Sequence, residues 1–134
     1  MRRDFRLSEE DEEYLESLGL PWESVKEGDT RWLVIRNWPV PPGYNHSTVS
    51  AAVIVPPTYP DTQIDMVYFS PHLAVSTGKV VNNLTPRTFD GLTWQQWSRH
   101  RTPQNPWRSG LDDVASHFVL VDSWLRRELT GIAT

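Results

Sequence analysis

The stretch "GLDDVASHFVLVDSWLRREL", residues 110–129, constrains the fold more than any other part of the chain. Leu111, Val114, Ala115, Phe118, Val121, Leu125 and Leu129 recur at helical spacing, which puts them on one stripe of a long amphipathic helix. Asp112 and Asp113 open the run, Arg126 and Arg127 lie near its end, and Gly131 is suited to cap it. Such a stripe has to be buried against a second apolar surface.

Short strands supply that surface. "RWLVIRNW", residues 31–38, alternates Trp32 and Val34 against Leu33 and Ile35, and the dense turn "PVPPGYN" must then reverse the chain. Val49–Val55 reads as a second strand and Ile64–Phe69 as a third, a spacing that predicts an antiparallel meander. Between Ser76 and Gly91 the breakers Thr77-Gly78 and Thr85-Pro86 predict a loop, while "LTWQQWSRHR", 92–101, reads equally as strand or short helix. Near the N-terminus "SEEDEEYLESL", 8–18, has a capping Ser8, an acidic first turn and a Gly19/Pro21 stop, so it predicts a helix. The order is helix, three strands, irregular segment, helix. It predicts one α+β domain over residues 1–134, a meander sheet flanked by two helices. Leu33, Ile35, Val53, Ile64, Met66, Leu111, Val114, Phe118 and Leu125 should lie inside it.

Composition removes several kinds of function. The net charge of −4 and the lack of a Lys/Arg run give nucleic acid no electrostatic footprint. No apolar run nears the roughly 20 residues of a membrane span, and "MRRDFRLSEEDEE" lacks the apolar core of a signal peptide. We therefore expect a cytoplasmic protein away from the membrane. Zero cysteine excludes disulfides, Cys-based metal sites and a thiol nucleophile. The histidines, His46, His72, His100 and His117, have no metal-ligand spacing, so neither metal nor cofactor is expected.

The order of elements and their punctuation resembles the ubiquitin-conjugating (UBC) superfamily. In that fold an N-terminal helix and meander lead to a Tyr-Pro corner, a strand, a His-Pro-Asn-type turn, the active-site segment, a Trp-containing stretch and a further helix. Here Tyr59-Pro60 matches the corner, "IDMVYF" the strand, Pro71-His72 the turn with its order changed, and "NPWRSGLDDV" the Trp-containing approach to the helix. The resemblance spans roughly residues 8–129. "PPGYNH", "YPDTQIDMVYF" and "WSRHR" together look like a bacterial UBC-like branch, prokaryotic family E, found in operons for ubiquitin-like modifiers. The resemblance implies a modifier, an activating enzyme and a JAB-type peptidase as partners.

The departures concern chemistry. A conjugating enzyme carries its acyl group on a cysteine, because thiolate is nucleophilic near neutral pH and its thioester stays reactive toward amines. The family's offsets from Trp107 and from Pro71-His72 lead to two windows, Ser98–His100 and Gly78–Val81, and neither holds a cysteine. Leu73 and Ala74 stand where the turn's asparagine would follow, although Asn82 and Asn83 are near in sequence.

Ser98 could accept an acyl group with His100 as its base, but the oxygen ester would be a far poorer donor than a thioester. His100 could itself be the nucleophile, its neutral form favoured by Arg99 and Arg101. The plain reading of both is a polar stretch of strand or turn. His72 reads as a turn-shaping residue, as in the superfamily. Trp97 and Trp107 read as core packing or, if exposed, as interface anchors. Arg99 and Arg101 could grip a modifier's carboxylate tail. Three readings follow. The chain is a non-catalytic UBC-like protein that binds a modifier or its activating enzyme. Alternatively it is an acyl transferase working through Ser98 or His100, or one whose native cysteine has been replaced. The last is an unrelated protein-binding domain.

Overall fold

In the computed structural model, which describes residues 1–130, two helices flank a six-stranded sheet. Helix α1 spans Glu9–Ser17, and Ser8 caps it by accepting from Asp11 N. The strands are β1 (Trp22–Glu27), β2 (Thr30–Pro39), β3 (Thr48–Ile54), β4 (Val67–Ser70), β5 (Leu84–Phe89) and β6 (Leu92–Trp97), and α2 spans Val114–Arg127. Every pairing is antiparallel, in the order β1-β2-β3-β4-β6-β5. The α+β class and the two flanking helices agree with the sequence reading.

The sheet has three strands more than the three predicted: β6, where 92–101 read equally as strand or helix, and β1 and β5, which lie at its edges. In β1 only Trp22, Ser24 and Val25 are buried, too few to show a period. The expected loop from Ser76 to Gly91 gives way to strand at Leu84, although Pro86 lies within β5. Asp90-Gly91, both at positive φ, form a two-residue turn that makes Phe89 and Leu92 a hydrogen-bonded pair. Counting back by twos, Leu84, Pro86 and Thr88 turn their backbone groups away from β6. Pro86 therefore costs the ladder no bond.

Two further expectations need correction. Leu111 is 74% exposed and precedes α2, because Asp113 caps that helix in a reciprocal capping box with Ser116. Met66, expected inside, is only half-buried. It sits at φ 61, so the strand expected from Ile64 begins at Val67. The remaining seven residues expected inside are each at most 1% exposed. The expected helix cap Gly131 lies outside the described residues.

Alternation along the strands builds two cores. Leu33, Ile35, Ala51, Val53, Val67, Phe69 and Trp97 face the helices and meet Val114, Phe118, Val121 and Leu125. Trp32, Val34, Ala52, Tyr68, Phe89 and Trp94 fill the opposite face. Phe89 stacks on Trp32 with ring centroids 4.2 Å apart, although β3, β4 and β6 separate their strands in the sheet. The β5–β6 hairpin thus curls back over β2. Its tip is anchored there: Arg2 grips Asp90 through two hydrogen bonds, and Asp90 N donates to Glu27 Oε2 at 2.8 Å.

Candidate functional site

The chain after β4 turns at Ser70-Pro71-His72 and is held from two sides. Asn45, from the "PPGYN" turn, donates through Nδ2 to His72 O at 3.2 Å and accepts from Ala74 N at 2.8 Å. Gln95 of β6 accepts from Leu73 N and donates to Leu73 O, both at 3.0 Å, while Trp97 Nε1 donates to Gln95 Oε1 at 2.9 Å. His72 contributes its carbonyl to this turn, and its side chain is exposed. The shaping groups are the amides of Asn45 and Gln95, which sequence reasoning missed.

The two windows reached by offset, Gly78–Val81 and Ser98–His100, belong to one place in space. Ser98 N donates to Asn83 O at 3.0 Å, and Arg99 Nη1 donates to Asn82 O at 3.1 Å. Glu128, at the end of α2, joins the windows. Its Oε2 lies 3.4 Å from Arg99 Nη2, its Oε1 3.5 Å from Lys79 Nζ, and Lys79 also donates to Glu128 O at 2.7 Å. Cations at a helix C-terminus meet the negative end of its dipole, which suits both Lys79 and Arg99. Arg99 also lies over the Trp97 ring, 5.0 Å from its centroid. Trp97 is itself fully buried.

Ser98 and His100 have separate partners. Ser98 Oγ accepts from Gln96 Nε2 at 3.4 Å, a weak bond along the strand. His100 Nδ1 lies 2.9 and 3.0 Å from the two oxygens of Asp65, and its side chain is 61% exposed. Asp65 is the partner that the sequence reading left out. It falls between Ile64 and Met66, both expected inside, so strand alternation alone would have pointed its side chain outward.

Arg101 faces inward. Its side chain is 7% exposed, paired with Asp112 at 3.4 Å and set under Trp107, whose ring centroid is 5.1 Å away. Trp107 Nε1 in turn donates to Pro60 O at 2.8 Å, which fixes the loop before α2 on the Tyr59-Pro60 corner. Close by, His117 of α2 is 1% exposed, with Nε2 2.8 Å from Met66 O. Desolvation, reinforced by the Arg101 charge, pushes its pKa down to about 4, so the ring is neutral near pH 7.

The described residues contain no group of three or more His, Cys, Asp or Glu able to hold a metal, and no helix long and apolar enough to cross a membrane. Helix, meander, cornered strand and terminal helix define a UBC-like scaffold, and the corner where the two windows meet holds an amine, a guanidinium and a carboxylate. The chain belongs to prokaryotic E2 family E, whose model matches residues 7–128. No curated protein and no solved structure matches it.

Proposed function

We propose that this chain is a non-catalytic UBC-like component of a bacterial ubiquitin-like conjugation pathway, acting in the cytoplasm by binding a ubiquitin-like modifier or its activating enzyme. A JAB-type peptidase is a further candidate partner. Membership of prokaryotic E2 family E supports the pathway. The observation that carries the non-catalytic reading is the lack of any cysteine in the sequence, with Lys79, Arg99 and Glu128 at the corner where both windows meet. Arg99, partly exposed, and exposed Lys79 and His100 are within reach of a modifier's tail at this corner, and partly exposed Trp107 offers an anchor near the start of α2. Trp97 supports Arg99 from beneath, and Arg101 supports Trp107. The test is incubation with activating enzyme, ATP and modifier, followed by an NMR titration of modifier into labelled protein. We expect no thiol-sensitive adduct, and shifts that include residues 98–101. A thiol-sensitive adduct, or no shift at millimolar modifier, refutes the reading.

One observation favours a second reading, acyl transfer through His100. A carboxylate on Nδ1, here Asp65, orients an imidazole and leaves Nε2 as the nucleophile. An acid-labile adduct that disappears in His100→Ala supports this reading. An adduct that resists thiol, yields to hydroxylamine and disappears in Ser98→Ala would assign the role to Ser98.

A further inference from the structure

The sequence contains two lysines, Lys26 and Lys79, and the fold treats them differently. Lys26 lies on β1, opposite Arg31 in the ladder, with its backbone N–H tied to Asp4. No carboxylate pairs with its amine among the described residues. Lys79 lies in the exposed loop between Ser76 and Asn83, its side chain 39% exposed, at the corner described above. Glu128 O fixes the amine at 2.7 Å, and the Glu128 carboxylate stands 3.5 Å away, braced on its other oxygen by Arg99.

We infer that Lys79 is a modification site, the amine that accepts an acyl group from a thioester carried by a partner protein. This rests on the reading that the chain meets a thioester-borne modifier. The reaction needs no cysteine here. The amine form of Lys79, its first proton lost to solvent, attacks the thioester carbonyl. As the carbon–nitrogen bond forms, the nitrogen sheds its second proton to Glu128, the carbon–sulfur bond breaks and the partner's thiolate leaves. The product is an amide that thiol and hydroxylamine leave intact. A helix-end carbonyl to aim the amine and a braced carboxylate to take its proton are what separate Lys79 from Lys26.

The full chain tests this with a synthetic probe, a short peptide thioester ending in glycine with mercaptoethanesulfonate as leaving group. After reaction at neutral pH, digestion and mass spectrometry quantify acylation at each lysine. Lys79 should react roughly tenfold faster than Lys26, a modest effect for a positioned proton acceptor because Arg99 shares the carboxylate. Lys79→Arg should remove the adduct, and Glu128→Gln should bring Lys79 down to the rate of an unchanged Lys26. Equal labelling of the two lysines in the unaltered protein overturns the proposal, as does Lys79 labelling that is unchanged or raised in Glu128→Gln. A small thioester needs no docking surface, so failure here leaves modifier binding standing. A blank modifier titration would in turn leave the lysine preference standing.

Discussion

Tyr59 Oη donates to Asp11 Oδ2 at 2.6 Å and accepts from Val114 N at 3.0 Å, so one phenol joins α1, the β3–β4 corner and the start of α2. Asp11 is 2% exposed and also accepts from Val114 N through Oδ1 at 3.3 Å. Burial raises the Asp11 pKa, and its hydrogen bonds only partly counter this.

Tyr59→Phe should therefore destabilise the domain by about 1–3 kcal/mol, because it leaves a buried carboxyl and a helix-end N–H one partner short. Urea unfolding followed by tryptophan fluorescence checks this. A change within a few tenths of a kcal/mol would mean that the phenol is dispensable.

His117 makes stability depend on pH. Its folded pKa is about 4 against an ordinary histidine value of 6.5. Between those values the unfolded chain binds the extra proton, so stability rises with pH across that window and is lost as pH falls. The loss amounts to about 3 kcal/mol at most. Asp11 has a raised folded pKa and opposes this at the acid end, where stability falls as pH rises. Comparison with His117→Gln, which keeps a donor for Met66 O, isolates the histidine. The variant should show a flatter profile between pH 4 and 6.5, measured by urea unfolding at several pH values.

The two arginines that flank His100 should separate when mutated. Arg101→Ala strips Asp112 of its partner and Trp107 of its support, and should cost about 3 kcal/mol. Arg99→Ala should cost less, because Lys79 remains on Glu128, and should show its main effect in modifier binding. Thermal unfolding beside a binding titration measures both. Equal destabilisation would put the two arginines in the same role.

Gly43 has a φ of +121, and a Cβ there would stand 2.8 Å from a Leu129 methyl. Gly43→Ala should cost of order 1–3 kcal/mol from backbone strain, with displacement of Leu129 added. The readout is urea unfolding, with NMR shifts at the end of α2.

The parts of this fold that the sequence discloses are those with two faces to satisfy. Strand β2 alternates between two cores, and α2 has an apolar stripe, so periodicity marked both. Edge strands β1 and β5 have one neighbour and few buried residues, and no period betrayed them. Leu111 fits the helical spacing but lies before the cap at Asp113, where the spacing has no consequence. The corner of Lys79, Arg99 and Glu128 joins residues 20 and 29 positions apart, a proximity that only the topology creates. His100 was visible as a candidate base, whereas Asp65 needed strand alternation to be followed one residue further.

The curled β5–β6 hairpin has a consequence for how the chain comes together as it is made. Its tip meets Arg2 across 88 positions and Glu27 across 63. The first half of the polypeptide therefore emerges from a ribosome with both sheet faces largely bare. Trp32, Val34 and Tyr68 stay uncovered until Phe89 and Trp94 have been added, and α2 closes the helix side later still. Contacts this distant slow folding and lengthen the exposure of apolar strands. Once the hairpin is in place, Pro86 leaves the outer edge of β5 one donor short, which disfavours pairing with another copy.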